Sequence, residues 1–313
     1  MAIALYSSAM DTRIEGLDRP PVTLAPGDGR AESSLHRLKI GAQPFCVLKQ
    51  RGGFPDIAYD HGRLLASEID KSSFPEIVSA IARGIDRENE TLERIGAVVY
   101  RAYSSRVLKN TSPEFRQAID AVAAGYLAGT KKAQFTLDDV RDATVAIEVG
   151  NLVEGLSRLI EIPFVRVRAL IGLLAICLPY MFDPRVVGTL NRLRRHEGIR
   201  PSLSRVLANM SSPRTRCGFA CTAFTASGQF TTDGRHIHAR NFDADLYQWN
   251  VAPVLALIDE TSGRRGRHKY VAFGTAGLIY PGGISGLNDA GLAVSLHQLS
   301  TARYRSGFVF GHG

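Results

Sequence analysis

Apolar residues recur at three- and four-residue spacing between Asp56 and about Ile160, a pattern typical of amphipathic helices. Before this region, the run HRLKIGAQPFCVLKQRGG predicts one or two strands that end in a glycine turn. From Cys217 onwards the pattern changes to short β-type runs separated by Gly, Asp-Gly or Asn-Asp turns. The chain is therefore predicted to be an α+β protein in which a helical front precedes a β-rich back.

The pattern also divides the chain. Residues 1–35 are rich in Pro, Gly, Asp and Arg without periodicity, which predicts a loose leader. A mainly helical segment is predicted over residues 36–220 and a β-rich segment over residues 221–313. Within the helical segment, Thr136 is followed by acidic residues, so we predict that a helix begins there.

The number of cysteines and the N-terminal sequence indicate the cellular compartment. The 313 residues include four cysteines, too few for a disulfide scaffold, which favours a reducing compartment. The start MAIALYSSAMDTRIEG has neither a basic region nor a sustained apolar run, so no secretory signal is predicted. A cytoplasmic protein is expected.

The net charge of +8 comes from one segment, residues 163–216, which holds ten arginines against Asp183 and Glu197. The same segment contains ALIGLLAICLPYMF, fourteen uncharged residues, which is shorter than the roughly 20 needed to span a bilayer. Two interpretations remain: a buried helix followed by a solvated basic surface, or a peripheral contact with a membrane surface. No nucleic-acid partner is expected, because the arginines are not interleaved with aromatic residues and belong to no recognisable nucleic-acid-binding module.

The stretch TRCGFACTAFTASGQFTTDGRHIHARNFDAD carries the candidate chemistry, and it admits four interpretations of Cys221. Cys217, Cys221, His236 and His238 could form a zinc site, although their spacing departs from common zinc patterns. A redox pair with Cys217 is weaker, since C-x3-C is not C-x2-C. A plain buried thiol is the third interpretation, and a nucleophile is the fourth.

A nucleophile needs a base, and cleavage before Cys221 would provide one. If the Ala220–Cys221 bond is cut, the new α-amine of Cys221 lies beside its own thiol, and α-amines have pKa values of about 7.7–8.0. Arg240 and Asp243 follow the predicted Asp233-Gly234 turn on the pairing strand. The arginine would favour the thiolate, and the aspartate could hold the amine.

These residues resemble a known group. CTAFTASGQFTTDGRHIHARNFDAD is similar to the start of the mature chain in N-terminal-nucleophile (Ntn) hydrolases of the penicillin acyltransferase and choloylglycine hydrolase type. GGISGLNDAGLAVSLHQLS is similar to a second block of that group, and DIAYDHGRLLASEI resembles, more weakly, a helix near the start of acyltransferase precursors. The contiguous resemblance covers about residues 221–301.

The resemblance implies a self-cleaving cysteine amidohydrolase or acyltransferase that acts on a carbon–nitrogen amide bond through an acyl thioester. Cleavage would fall between Ala220 and Cys221, Cys221 would be the nucleophile, and Arg240 and Asp243, with Asn241 between them, would match the group's Arg-Asn-x-Asp. His297 and Gln298 stand where the group often has an asparagine, and they are the oxyanion candidates. No cofactor or metal is implied. A small-molecule amide or acyl substrate is expected, with a long acyl chain suggested by the apolar run before the cut.

The implied fold is the first part of an αββα sandwich with antiparallel sheets, preceded by a helical pro-segment. Because the group's second half normally follows the region where this sequence stops, we expect the sandwich to be truncated at its C-terminal side. The alternative function is a catalytically degenerate or truncated relative that binds lipid or a partner through residues 163–216. A zinc-binding module is the third.

Overall fold

A seven-stranded sheet forms the centre of the described fold, and a separate two-stranded sheet accompanies it. The computed structural model describes residues 22–24, 27–40, 43–71, 104–105, 107–144, 220–243, 252–261, 268–279 and 283–296. Its strands are, in chain order, β1 Val22–Thr23, β2 Glu32–Ile40, β3 Gln43–Gly52, β4 Ala220–Gly228, β5 Gly234–Asp243, β6 Pro253–Glu260, β7 His268–Thr275, β8 Ser285–Asn288 and β9 Ala293–Ser295. The helices are α1 Phe54–Leu64, α2 Ala66–Lys71, α3 Pro113–Gly129 and α4 Leu137–Thr144.

The large sheet has the order β1-β2-β3-β6-β7-β8-β9, and β4 pairs only with β5 in the described part of the chain. All its pairs are antiparallel except β3–β6, which are parallel. The protein is thus mixed α and β with a mostly antiparallel sheet, in agreement with the predicted class. By contact density the chain divides into two units, the first made of Met1–Ser73, Pro113–Val140 and Phe219–Gln298, and the second of Phe74–Ser112, Arg141–Gly218 and Leu299–Gly313.

The prediction of one or two strands over residues 36–53 is confirmed, and the structure has two, β2 and β3. β2 begins at Glu32, inside the range predicted as a leader, and the two strands pair over nine positions from Glu32↔Arg51 to Ile40↔Gln43. Since β3 also pairs with β6, strands from before and after position 220 share one sheet. The front of the chain is therefore part of the sheet as well as helical.

The two faces of the large sheet differ: α1 packs against one, and apolar side chains of the strands cluster on the other. On one face, Gln50 is 1% exposed and its Nε2 donates a 2.9 Å hydrogen bond to the carbonyl oxygen of Ile57 in α1. On the other face, Val47 and Leu257 are buried within a cluster of partly buried apolar side chains: Leu38, Phe45, Leu255 and Val271. Strand alternation separates these two sets, because successive residues point to opposite faces.

Helix packing depends on glycines where backbones meet. A Cβ atom on Gly62 of α1 would overlap the carbonyl oxygen of Val122 in α3, and one on Gly125 would overlap that of Tyr59 in α1. Any larger side chain at either position would push the helices apart. The helical pattern predicted between Asp56 and Ile160 is thus confirmed for α1 to α4, and residues 72–103 and 145–160 lie outside the described part.

The predicted helix start at Thr136 is confirmed, with α4 beginning at Leu137. The backbone N–H of Asp139 donates to Thr136 Oγ1 at 3.2 Å, and the Thr136 N–H donates to Asp139 Oδ2 at 2.9 Å. This reciprocal pair satisfies two backbone donors that the first turn would otherwise leave unbonded. Among the helices that the structure describes, none is long and apolar enough to cross a membrane.

Two buried polar side chains of α1 bind backbone amides of distant segments. Asp60 is fully buried, and its two oxygens accept hydrogen bonds from the N–H groups of Arg30 and Ala31 at 2.8 and 3.0 Å. His61 is 4% exposed, and its Nε2 accepts a 3.1 Å hydrogen bond from the N–H of Gly277, after β7. Nε2 is therefore unprotonated, and the imidazole is neutral.

Acid should weaken the fold through His61. Burial lowers the pKa of His61 from 6.5 to about 4, so the unfolded chain binds a proton more readily between these values. The stability that depends on the neutral ring is present above about pH 6.5 and is lost as the pH falls towards 4, by about 3 kcal/mol in total. Urea unfolding of wild type and His61→Gln at pH 7 and pH 4 should show a smaller loss in the variant, because glutamine does not titrate. An equal loss in both proteins would contradict the assignment.

Candidate functional site

The candidate site lies on the β4–β5 hairpin. Its two strands are joined by a turn that has a glycine at each end. Gly228 and Gly234 have φ angles of +60° and +71°, in the left-handed region that glycine adopts at little cost. Asp233 Oδ1 accepts a 3.1 Å hydrogen bond from the N–H of Arg235, which closes the turn before β5. The hairpin predicted around Asp233-Gly234 is therefore confirmed.

The hairpin register brings the predicted site residues into neighbouring pairs. Its first four pairs are Ala220↔Asp243, Cys221↔Phe242, Thr222↔Asn241 and Ala223↔Arg240. The two sequence blocks Cys-Thr and Arg-Asn-x-Asp thus meet at the open end of one ribbon. Seventeen residues of sequence, 223–239, lie between the two blocks, and the turn brings the blocks together.

The pleat divides these positions between the two faces of the ribbon. Directly paired residues share a face and successive residues alternate, so Cys221 and Arg240 belong to one face and Asn241 and Asp243 to the other. Cys221 and Arg240 are diagonal neighbours, for which Cα separations are roughly 7–8 Å. Such a separation is within the reach of an arginine side chain.

The hairpin is joined to β9, the last strand of the large sheet, by two polar contacts. The Arg240 guanidinium donates through Nη2 to the carbonyl oxygen of Leu296, and His238 Nε2 lies 3.0 Å from Ser295 Oγ. Arg240 and His238 are both half-buried. The following residues, His297 and Gln298, and the side chains of Cys221 and Asp243 lie outside the described part, so their assigned roles remain predictions.

Cys46 provides a contrast to a reactive thiol. It is 5% exposed on β3, and its pKa is raised to about 11 by burial and, to a smaller degree, by nearby Glu68, with Arg37 and Lys71 acting in the opposite direction. A thiol with so high a pKa is almost entirely protonated at neutral pH and is a poor nucleophile. Cys46 is thus an internal control for thiol reactivity.

The register does not favour a single zinc site that includes both Cys221 and His238. His238 pairs with Thr225, four residues from Cys221, so about 13 Å of strand separates the two positions. Zinc would need both ligand atoms within about 2.3 Å of one point. No group of three or more His, Cys, Asp or Glu side chains with metal-site geometry occurs among the described residues, from which Cys217 is missing.

The basic, partly apolar segment 163–216 likewise lies outside the described residues.

Sequence reasoning did not single out Ser295 or Leu296 as neighbours of the hairpin. They lie 56 or 57 residues along the chain from their partners, and no periodicity or motif links positions at that distance. The LAVSLHQ block predicted a functional segment at residues 292–298, but it did not indicate that this segment contacts His238 and Arg240 of β5.

Comparisons with protein-family models, with curated proteins and with solved structures found no match for this chain.

Proposed function

We propose that the protein is a cysteine Ntn amidohydrolase or acyltransferase that cleaves itself between Ala220 and Cys221. The observation that carries the proposal is the hairpin register, in which Ala220 lies opposite Asp243 and Cys221 lies opposite Phe242, two residues from Arg240. A nucleophile, a permanent cation and a carboxylate thereby meet at one end of one ribbon. Each is a group that amide cleavage by a terminal cysteine requires.

In the proposed reaction, the Cys221 thiolate attacks the carbonyl carbon of a substrate amide. The carbon–nitrogen bond breaks, the α-ammonium group of Cys221 gives its proton to the leaving nitrogen, and an acyl thioester remains. Water releases the acyl group as an acid, or an acceptor amine takes it as a new amide. The α-amine is suited to proton transfer because its pKa of about 7.7–8.0 is close to neutral pH.

Arg240, Asp243 and Asn241 have separate roles in this proposal. The guanidinium of Arg240 provides positive charge that stabilises the thiolate from the same face of the ribbon. Asp243 pairs with Ala220, so its position lies next to the peptide nitrogen that becomes the free amine of Cys221. Asn241, which is exposed and pairs with Thr222, would bind polar groups of the substrate.

We further propose that the fold is the front half of an αββα sandwich. Following the paired positions across the large sheet puts Ser295 on the face of Leu257, opposite the face of Gln50 that α1 covers. A helix layer on one face and the hairpin contacting the other is the layer order that such a sandwich requires. In this interpretation, β4 and β5 belong to the second sheet.

The proposed substrate is a small-molecule amide with an apolar acyl group. Phe273 of β7 is 40% exposed and stacks on Phe45, with ring centroids 6.3 Å apart. By the register, Phe273 shares the face of Leu255, which is the face contacted by the hairpin. An acyl chain bound there would cover apolar surface that is otherwise in water.

An acyl-trapping experiment tests the proposal. Cleaved protein mixed with the p-nitrophenyl ester of a fatty acid should release a stoichiometric burst of nitrophenolate as the thioester forms on Cys221. Peptide mapping of Cys46, Cys177, Cys217 and Cys221 should find the acyl group on Cys221, whereas Cys46 stays unmodified because its thiol is buried and protonated. An acyl group spread over several cysteines, or an unchanged burst in Cys221→Ala, would refute the proposal.

A further inference from the structure

The β4–β5 hairpin has little backbone support of its own. In the part of the chain that the structure describes, neither strand pairs with a strand of the large sheet. Its side chains are also largely in water, with Phe224 62% and Ile237 48% exposed. An isolated two-stranded ribbon is marginally stable in water, and the contacts that join this hairpin to the large sheet within the described residues are made by side chains of β5.

Two contacts between β5 and the end of β9 hold the hairpin in place on the sheet. His238 and Arg240 are two residues apart on β5, which separates them by about 7 Å and keeps them on one face. Their partners, Ser295 Oγ and the carbonyl oxygen of Leu296, are on adjacent residues. A single contact would leave the hairpin free to pivot, whereas two contacts define both its position along β9 and its direction.

His238 is too far from the nucleophile to take part in the chemistry itself. It pairs with Thr225, and about 13 Å of strand separates it from the position of Cys221. At the other end of the contact, Ser295 is two residues before His297 in the chain. The pair therefore links β5, the strand that pairs with the nucleophile's strand β4, to the chain segment just before the oxyanion candidates.

We infer that His238 and Ser295 are positioning residues that hold β5, and through it the paired strand β4 with Cys221, in register with the end of β9. This inference rests on the proposed function. The hydrogen bond between the two side chains aligns β5 with β9, and the shared ribbon transmits that alignment to Cys221. Neither side chain contacts the substrate's reacting atoms.

The role predicts a specific kinetic pattern. A displacement of about 1 Å between reacting groups can cost on the order of 100-fold in rate. His238→Ala and Ser295→Ala should each slow acylation by the nitrophenyl ester about 10- to 100-fold, and the double variant should be no slower than either single one. His238→Gln, which can still hydrogen-bond to the serine hydroxyl, should recover most of the rate.

Two measurements separate positioning from a general loss of structure. Alkylation of Cys221 by iodoacetamide needs no oxyanion site, so its rate should stay at the wild-type level in each variant. His236→Ala is the matched control, because His236 lies on the same strand and face but is exposed. Its acylation rate should equal that of the wild type.

The outcomes distinguish the inference from the function on which it rests. Wild-type acylation rates in both alanine variants, additive losses in the double variant, or equal slowing of alkylation would each overturn the positioning role while leaving the proposed function in place. A wild-type protein that is not acylated at Cys221 would overturn the proposed function and the positioning role together.

Discussion

Purified protein is expected to contain two fragments, residues 1–220 and 221–313, that stay together until they are denatured. β3, from the first fragment, pairs with β6, from the second, over seven positions from Cys46↔Val254 to Gly52↔Glu260. Beyond this ladder, the N–H of Thr261 donates to the carbonyl oxygen of Gly52 at 2.9 Å. Since the shared sheet is buried on both sides of this pair, cutting the chain at position 220 should leave the fold assembled. Mass spectrometry should therefore give one mass under native conditions and two under denaturing conditions.

The chemistry of the cut explains its expected dependence on Cys221. The thiol attacks the carbonyl carbon of Ala220, the amide bond breaks as its nitrogen takes a proton, and a thioester joins the two segments. Water then hydrolyses the thioester, leaving a carboxylate on Ala220 and a free amine and thiol on Cys221. Cys221→Ala should thus remain a single chain, whereas Cys217→Ala should be cut like the wild type.

Different failures would point to different errors. A wild-type protein that stays as one chain would contradict the terminal-nucleophile mechanism. If the chain were cut as expected but the fragments separated under native conditions, the mechanism would stand and the assignment of β3 as a permanent partner of β6 would be wrong.

Arg240→Ala is expected to lower the rate of acylation by about 100-fold or more, since it removes two interactions at once. The guanidinium provides positive charge on the same face of the ribbon as Cys221, and it also donates to the carbonyl oxygen of Leu296. Loss of the charge reduces the thiolate fraction, so alkylation by iodoacetamide at neutral pH should slow as well. That second effect distinguishes Arg240 from His238, whose replacement should leave alkylation unchanged.

Arg240→Lys and Arg235→Ala are the matched controls. Lysine keeps the charge but lacks the planar fork of donors, so an intermediate acylation rate with near-normal alkylation is expected. Arg235 is on the same strand, its side chain is 84% exposed, and it forms only a 3.4 Å surface ion pair with Asp233, so its replacement should have little effect. Acylation of Arg240→Ala at the wild-type rate would remove Arg240 from the proposed mechanism.

Local features of the fold could be predicted from the sequence because the residues that determine them are close together in the chain. Thr136 and Asp139 are three residues apart, and their reciprocal hydrogen bonds form as soon as the first turn of α4 does. The Asp233-Gly234 turn likewise sets the hairpin, and with it the pairing of Ala220 with Asp243. The candidate nucleophile, cation and carboxylate could be named in advance because one short hairpin contains them all.

The tertiary structure alone decided which distant segments meet. His61 and Gly277 are 216 residues apart. Nothing in the sequence around either residue predicts that the backbone N–H of Gly277 donates a hydrogen bond to the ring of His61. The parallel pairing of β3 with β6 and the contact of His238 with Ser295 are of the same kind. Many pairings of the predicted strands would satisfy the same hydrophobic pattern, and the choice among them depends on which one buries the most apolar surface while satisfying the buried polar groups. That balance involves the whole sheet at once, so the sequence determined the elements and the hairpin, and the packing of the complete chain decided the order of the strands and the partners of the site.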